Sequence, residues 1–178
     1  PVKAIGPRYA QADSERLARE RGWTFVRDGG GFRRAVPSPE PLRIRELAAI
    51  RLLVDAGAIV VCAGGGGIPV AVGADGAIRG VEAVIDKDLA GALLAQRLGA
   101  DVLLLLTDVD AVQWEGKPLR DTTPCALRAM QFEAGTMQPK VEAACRFVES
   151  GGRYAGIGRL EDAAAIAAGT RGTIVRAA

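Results

Sequence analysis

Residues 88–108 read DLAGALLAQRLGADVLLLLTD, and this stretch indicates the fold class. Its first half, residues 88–98, predicts a helix that Gly99 closes. Its second half holds five consecutive apolar residues at 102–106, which is typical of a strand buried in a parallel sheet. A helix that leads directly into such a strand favours the α/β class.

The same alternation extends over most of the chain. Further strands are predicted at residues 58–62, 154–157 and 173–175, and further helices at 44–56, 124–130, 139–150 and 161–168. Asp75-Gly76, set between two apolar runs, indicates a hairpin. From residue 58 onward, this order predicts a mainly parallel sheet with helices on its faces.

Residues before about 42 break this alternation. They contain a predicted helix at 11–21, a predicted strand at 23–26 and a predicted loop at 28–41, which holds three glycines and three prolines. We therefore expect two domains, a small unit at residues 1–41 and an α/β domain at residues 42–178.

Composition narrows the classes of function. The formal net charge is only +2 and the basic residues are spread along the chain, which argues against a nucleic-acid-binding protein. Three cysteines without CxxC spacing argue against a disulfide framework or a zinc site, and they fit a reducing, cytosolic compartment. Glycines and a proline interrupt the apolar stretch at residues 56–74, so no membrane helix is predicted there.

The chain contains no histidine. Its polar chemistry must therefore rest on Lys, Arg, Asp, backbone amides and bound metal. Phosphoryl transfer is a reaction that needs little more than these groups, because positioning and electrostatic stabilisation carry most of its catalysis.

A glycine run follows the predicted strand at residues 58–62, where ligands of open α/β sheets bind. Its members are Gly64, Gly65, Gly66 and Gly67. Four glycines leave backbone N–H groups uncovered and allow the close approach of an anion. A flexible turn before the hairpin is the alternative. The run is not a Walker A loop, because no Gly-Lys-Ser/Thr follows it.

Asp86-Lys87-Asp88 opens the helix predicted at residues 88–98. Lys87 is a candidate phosphate ligand, with Asp86 or Asp88 orienting it or contacting metal. Helix capping is the alternative interpretation of an Asp at this position. Capping does not account for Lys87, because the helix dipole disfavours a cation at an N-terminus.

Two further polar segments lie at predicted strand ends or helix starts. Thr107-Asp108 follows the strand at residues 102–106, and by itself favours a simple strand-end turn. The segment GTMQPK at residues 135–140 leads into a helix with Pro139 near its first turn, which suits an anion site. Lys140 is either a ligand there or a solvated surface charge.

Other candidates have simpler interpretations. By spacing alone, Lys3, Arg33 and Arg34 are solvated or structural charges near glycine-containing loops. Cys62, at the end of a predicted buried strand, is a core residue rather than a nucleophile.

Six blocks together resemble the carbamate kinases of the amino-acid kinase family. They are KAIGP at 3–7, RRAVPSP at 33–39, GGGGIPV at 64–70, GVEAVIDKDLA at 80–90, TDV at 107–109 and GTMQPKVEAA at 135–144. The blocks fall in family order over nearly the whole chain. The stretch at residues 80–88 by itself separates carbamate kinases from most other amino-acid kinases.

The resemblance implies a three-layer α/β/α sandwich that works as a homodimer, with a small lid subdomain around residues 3–36. It implies transfer of a phosphoryl group between ATP and carbamate, giving ADP and carbamoyl phosphate, with Mg²⁺ accompanying the nucleotide. Lys3, Lys87 and Lys140 match family lysines around the transferring phosphate, and Asp86 and Asp88 match the acids beside them.

The resemblance also implies a nucleotide site. Thr107 and Asp108 match part of it, and we expect the turn at Met137, Pro139 and Lys140 to complete it. The glycine run at residues 64–67 matches a glycine-rich turn of the active site. Carbamate is already an anion and needs no general base, which agrees with a chain that lacks histidine.

One departure from the family is large. Carbamate kinases have a whole N-terminal half before the position of Lys3, and that half carries a glycine-rich phosphate loop and much of the carbamate site. We therefore expect this chain to be inactive by itself. Two other interpretations stay open: an amino-acid kinase with a different acid as acceptor, or a non-catalytic nucleotide-binding module.

Overall fold

The computed structural model describes residues 2–130, 132 and 137–178. Contacts between residues divide the chain into two compact units. The smaller unit consists of Pro1–Glu40 and Gly67–Asp86, and the larger unit consists of Pro41–Gly66 and Lys87–Ala178. The sequence analysis placed one boundary near residue 41. The structure adds a second segment, residues 67–86, to the N-terminal unit.

The smaller unit is built on a three-stranded antiparallel sheet. Its strands are β1 (Val2–Tyr9), β2 (Thr24–Asp28) and β3 (Gly31–Pro37), in the order β1-β3-β2. Helix α1 (Gln11–Arg21) connects the first two strands and ends at Gly22, whose φ of +66° favours glycine. The helix predicted at residues 11–21 is therefore confirmed.

The loop predicted at residues 28–41 is wrong in its middle part. Glycines at residues 29–31 and prolines from residue 37 flank five residues that carry side chains suited to a strand. These residues form the centre of β3, which pairs with β1 on one edge and β2 on the other. The glycines form the turn from β2, and Pro37 lies at the last position of the strand, where a missing N–H is tolerated.

The second segment of the smaller unit contains the predicted hairpin. Its strands are β4 (Val70–Val72) and β5 (Ile78–Gly80), joined by a turn in which Gly76 has a φ of +75°. After the hairpin, the backbone N–H of Val84 donates to the carbonyl of Pro37 at 3.0 Å. This bond fixes the segment to the end of β3 and accounts for its place in this unit.

The larger unit contains a four-stranded mixed sheet. Its strands in chain order are β6 (Val102–Thr107), β9 (Asp121–Thr122), β10 (Tyr154–Arg159) and β11 (Thr173–Val175), and a separate short hairpin consists of β7 (Gln113–Trp114) and β8 (Lys117–Pro118). The spatial order is β6-β10-β11-β9. The β6–β10 and β11–β9 pairs are parallel and the β10–β11 pair is antiparallel, so the mainly parallel α/β sheet is confirmed.

The larger unit also contains helices, several of which pack on this sheet. They are α2 (Leu47–Asp55), α3 (Lys87–Leu98), α4 (Pro124–Ala129), α5 (Met137–Glu149) and α6 (Ala163–Ala167). Phe147 on α5 and Leu127 on α4 are fully buried in one core with Ile157 and Val175 of the sheet. Apolar residues thus anchor α5 and α4 against the strands whose ends carry the candidate site.

The strand predicted at residues 58–62 is absent from the structure. These residues belong to no strand, and Ile59 and Val61 are 98% and 96% exposed. A parallel strand requires a hydrogen-bonding neighbour, and local apolarity specifies burial without supplying that neighbour. In the part of the chain that the structure describes, no helix has the length and hydropathy that a membrane span requires.

Candidate functional site

Lys140 and Asp88 form a buried ion pair in the larger unit. The Nζ atom of Lys140 lies 2.9 Å and 3.0 Å from the two carboxylate oxygens of Asp88. Lys140 belongs to the first turn of α5 and Asp88 to the first turn of α3, and the two helices pack together. The interpretation of Lys140 as a solvated surface charge is therefore wrong, because both side chains are buried.

Lys87 precedes Asp88 as the first residue of α3, and its side chain is 59% exposed. Its Nζ atom lies 3.9 Å from a carboxylate oxygen of Asp88, which is too long for a hydrogen bond. The same carboxylate thus binds one lysine closely and leaves the ammonium of the other accessible from solvent.

Lys3 and Asp86 form a second ion pair, in the smaller unit. The Nζ atom of Lys3, on β1, donates to a carboxylate oxygen of Asp86 at 2.5 Å. Asp86 is buried, whereas Lys3 keeps about a third of its side-chain surface exposed. This arrangement holds a partly accessible cation at a fixed position on the sheet. Of the two interpretations that spacing left for Lys3, a solvated or a structural charge, the ion pair with Asp86 agrees with the structural one.

The glycine run forms a tight turn. The N–H of Gly64 donates to the carbonyl of Cys62 at 2.8 Å, and that of Gly66 donates to Ala63 at 2.9 Å. Positive φ angles at Gly64, Gly66 and Gly67 explain why these positions require glycine. A role of this turn in binding an anion stays a prediction.

Thr107 and Asp108 lie where β6 ends, as predicted. The hydroxyl of Thr107 donates to the carboxylate of Asp108 at 3.1 Å. Two residues later Asp110 forms an ion pair with Arg159, at the end of the neighbouring parallel strand β10. The loop after β6 is therefore joined to the adjacent strand end, at the edge where α/β sheets bind ligands.

The turn before α5 is only partly described. Met137 and Pro139 lie in the first turn of the helix, beside Lys140. Gly135 and Thr136, which the sequence analysis included in the same segment, lie outside the described residues. Binding of nucleotide by Met137 and Pro139 stays a prediction.

Sequence analysis missed the environment of Arg34, a residue of β3. Its guanidinium carbon lies 4.1 Å from the centre of the Trp23 ring, and the guanidinium forms an ion pair with Glu82. Arg33, in contrast, donates to the carbonyl of Gly6 at 2.9 Å and to Asp28 at 3.2 Å. The interpretation as a structural charge therefore fits Arg33. The position of Arg34 beside Trp23 was not expected from the sequence.

The electrostatics around Arg33 agree with that distinction. Hydrogen bonding from Arg33, together with the nearby positive charge of Arg8, lowers the pKa of Asp28 below its ordinary value. Arg33 is thus a cation that a neighbouring carboxylate neutralises on the surface of the smaller unit.

Among residues 2–130, 132 and 137–178, no group of three His, Cys, Asp or Glu side chains has the arrangement of a metal site. Asp86 and Asp88 each contact a lysine ammonium. Both carboxylates are therefore engaged by lysines, Asp86 in the smaller unit and Asp88 in the larger unit.

The chain belongs to the amino acid kinase family, whose model matches residues 3–158. It is similar to the carbamate kinase of Rhizobium meliloti, with 49% identity over 98% of this chain and 56% of that protein. It is also similar to the carbamate kinase of Haemophilus influenzae, with 46% identity over 97% of this chain and 57% of that protein.

Solved structures agree with this assignment. The carbamate kinase of Giardia lamblia bound to citric acid matches with a TM-score of 0.90 and 37% identity, over 100% of this chain and 59% of that chain. The same enzyme bound to AMP-PNP matches with a TM-score of 0.86 and 36% identity, over 100% of this chain and 60% of that chain. The amino-acid kinase fold expected from the sequence is confirmed. The chain spans less than two thirds of the length of these relatives.

Proposed function

We propose that this chain provides the nucleotide-binding part of a carbamate kinase, which transfers a phosphoryl group between ATP and carbamate. The observation that carries the proposal is the similarity to carbamate kinases, at 43–49% identity over almost the whole chain. Members of the wider family differ in acceptor, so similarity at this level favours carbamate over another acid.

The proposed chemistry requires cations rather than a base. A carboxylate oxygen of carbamate attacks the terminal phosphorus of ATP, and the bond from that phosphorus to the ADP oxygen breaks. Carbamate has no proton to lose at that oxygen, so the absence of histidine is no obstacle. Positive groups lower the barrier by stabilising the negative charge on the transferring group and the leaving oxygen.

Within the larger unit, Lys87 and Lys140 are proposed to supply that charge. Lys87 is accessible and has no close hydrogen bond to Asp88, so it is free to meet a phosphate oxygen. Asp88 fixes Lys140 in one position, which suits a residue that must be preorganised before the substrate arrives. Within the smaller unit, Lys3, oriented by Asp86, is proposed as a ligand of an anionic substrate.

The nucleotide is proposed to bind at the end of β6 and the start of α5. Thr107 and Asp108 offer polar groups at the strand end. The first turn of α5 offers the backbone N–H groups of Met137 and Lys140 for phosphate, and Pro139, which has no N–H, lies between them in that turn. The glycine turn at residues 64–67 is proposed as a further phosphate contact. Mg²⁺, when bound with the nucleotide, would neutralise part of the phosphate charge.

Assembly and location are further parts of the proposal. A homodimer follows from the resemblance to carbamate kinases. A cytoplasmic location is supported by three cysteines that are all free, as expected in a reducing compartment.

Two measurements test the proposed function. Titration calorimetry of the folded 178-residue chain with Mg-ADP is expected to show binding at millimolar concentration or tighter. A chain that extends over the full length of the carbamate kinases is expected to form ATP from ADP and carbamoyl phosphate, and much less from acetyl phosphate.

The possible results separate the alternatives. Equal ATP formation from both acyl phosphates would indicate a different acid acceptor. Nucleotide binding without ATP formation would indicate a binding module. A folded chain that binds no nucleotide would overturn the proposal altogether.

A further inference from the structure

Arg34 and Lys3 share one face of the three-stranded sheet. Ile5 pairs directly with Arg34 across β1 and β3, and directly opposed residues of an antiparallel pair lie on the same face. Lys3 lies two residues from Ile5 on the same strand, so its side chain is on that face as well. Lys3 and Arg34 are therefore diagonal neighbours, whose positions are typically about 7–8 Å apart.

Arg34 is held in a way that leaves hydrogen-bonding capacity unused. Its side chain is only 16% exposed, and Trp23 covers one side of the guanidinium at 4.1 Å. Its Nε atom is buried and has no hydrogen-bond partner among the described residues. Buried guanidinium N–H groups normally donate hydrogen bonds. A buried Nε–H without an acceptor therefore indicates that Arg34 can bind a further hydrogen-bond acceptor.

Acidic residues from one segment contact both cations. Glu82 pairs with Arg34, and Asp86, four residues later, pairs with Lys3. The two carboxylates differ in exposure, because the side chain of Glu82 is 71% exposed whereas Asp86 is buried. Glu82 is therefore the carboxylate that another anion can replace more readily, because its side chain can move into solvent whereas that of Asp86 is buried.

We infer that Arg34 is an oxyanion-binding residue and that, without the anion, the carboxylate of Glu82 occupies the anion's position on the guanidinium. The ligand class is a carboxylate or phosphate group, whose paired oxygens match the fork of a guanidinium. Binding is reversible: the anion displaces the carboxylate of Glu82, which moves into solvent. Identifying this anion as carbamate or carbamoyl phosphate rests on the proposed function, whereas oxyanion binding by Arg34 does not.

Trp23 provides a direct readout. It stacks on Arg34, so an anion that binds the guanidinium should change its fluorescence. The chain has two tryptophans, and the Trp114→Phe variant leaves Trp23 as the only one. This variant is titrated with inorganic phosphate, acetate and carbamoyl phosphate in separate experiments at constant ionic strength.

Charge-preserving and charge-removing variants are then compared in that background. Arg34→Gln is expected to weaken anion binding about tenfold or more, because it removes a charge-assisted hydrogen-bond donor. The anion affinity of Arg34→Lys is expected to lie between those of the parent and Arg34→Gln, because lysine keeps the positive charge but lacks the paired N–H donors of the guanidinium. Glu82→Gln is expected to tighten binding several-fold, because the competing carboxylate is gone. Arg33→Gln, next in sequence and already engaged by Asp28, is the matched control and is expected to match the parent.

Several results would overturn the inference. They are an Arg34→Lys variant with parental affinity, a Glu82→Gln variant with unchanged affinity, and equal losses in the Arg33 and Arg34 variants. Circular dichroism checks the fold of each variant, and the exposed Glu82 position keeps the test available if the Arg34 variants do not fold.

Parallel titration with Mg-ADP separates this inference from the proposed function. If Glu82→Gln changes the affinity for anions in a chain that binds no nucleotide, the result would support oxyanion binding by Arg34 and contradict the proposed function. If the chain binds nucleotide but none of the three anions changes the fluorescence of Trp23, oxyanion binding by Arg34 would be contradicted and the proposed function would not. A response to phosphate and carbamoyl phosphate but not to acetate assigns the phosphate group as the ligand.

Discussion

The ammonium of Lys140 contacts both carboxylate oxygens of Asp88, at 2.9 Å and 3.0 Å, and both side chains are buried. The contact joins the first turns of α5 and α3. Because the dipole at a helix N-terminus disfavours a cation, Asp88 is the group that makes this position acceptable for Lys140. Each charge therefore depends on the other to remain in the interior.

Asp88→Asn is expected to destabilise the larger unit strongly. The variant leaves the Lys140 charge buried without a counter-charge, and breaking one side of a buried pair costs about 3–5 kcal/mol. Urea unfolding followed by circular dichroism measures the change in the free energy of unfolding.

Asp75→Asn is the matched control for that prediction. Asp75 pairs with Arg79 at 2.5 Å, but both side chains are more than half exposed. Its loss is expected to cost less than about 1 kcal/mol. Adding Lys140→Met to Asp88→Asn should restore much of the stability, because no unpaired charge remains. Equal small losses for Asp75→Asn and Asp88→Asn would contradict the buried-pair argument.

Lys87→Ala is expected to lower turnover rather than nucleotide affinity. A cation that meets the transferring phosphate acts mostly on the transition state, so its loss should cost about 3 kcal/mol, or about a hundredfold in turnover. The measurement is steady-state ATP formation by a chain that spans the full length of the carbamate kinases.

Arg97→Ala, in the last turn of the same helix, is the control for Lys87→Ala. It removes one exposed positive charge from α3 and is expected to leave both kinetic constants near those of the parent. Near-normal turnover in Lys87→Ala would indicate that Lys87 is a surface charge without a catalytic role.

Cys145 is expected to resist alkylation in the folded chain. Burial raises the pKa of its thiol to about 11, so almost no thiolate forms near pH 8. Cys125 is exposed and serves as the internal comparison. Mass spectrometry after iodoacetamide treatment at pH 8 should find Cys125 modified and Cys145 intact, with both modified in urea. Modification of both at one rate, with the fold intact, would contradict the assignment.

The same pKa predicts how stability changes in alkaline solution. The unfolded thiol has a pKa of about 8.5, so between about pH 8.5 and pH 11 the folded chain holds a proton that the unfolded chain has lost. This group therefore contributes stability that is full below that window and declines as the pH rises through it. Cys145→Ala should show a flatter decline in the free energy of unfolding over that window than the parent chain.

The sequence correctly predicted those elements that depend mainly on residues close together in the chain. Five consecutive apolar residues after a helix predicted β6 correctly, and the Asp75-Gly76 turn predicted its hairpin. β3 was missed because the glycines and prolines at its ends outweighed the short strand between them. The strand at residues 58–62 was wrongly predicted because an apolar run does not reveal which strand pairs with it.

The site was predicted less completely, for a related reason. Sequence placed Asp88 and Lys140 at two helix starts, but nothing in a separation of 52 residues indicates that they meet. The diagonal relation of Lys3 and Arg34 depends on the register of β1 against β3, which the bulge between Ile5 and Tyr9 makes harder to predict. The catalytic and binding roles of the individual residues stay predictions.

An exposed apolar surface in the larger unit predicts self-association. It consists of Leu52, Leu53, Val54, Ile59 and Val61, each with much of its side chain exposed. Exposed apolar side chains promote association, because a partner that covers them removes apolar surface from water. The double substitution Ile59→Lys and Val61→Lys is expected to reduce self-association in analytical ultracentrifugation without loss of fold, because neither side chain is packed. Arg43→Lys, at an exposed position of the same unit, is the control; unchanged association in the double variant would show that this surface is not involved.

The 178 residues by themselves are expected to have no carbamate kinase activity. In-line phosphoryl transfer requires that both anions be held with donors on each side of the moving group, and misplacement of either group costs orders of magnitude in rate. The chain spans 56–59% of the length of the carbamate kinases it matches, so a large share of their contacts has no counterpart within it.

The test of that expectation is ATP formation from ADP and carbamoyl phosphate by a preparation whose intact mass matches the 178 residues. The full-length chain assayed in parallel shows that the conditions permit turnover, and a reaction mixture without enzyme sets the level of background. Mg-ADP binding by the same preparation shows that an inactive sample is folded. Turnover by the 178 residues above that background would contradict the expectation, and would mean that these residues build the whole site, alone or as an assembly.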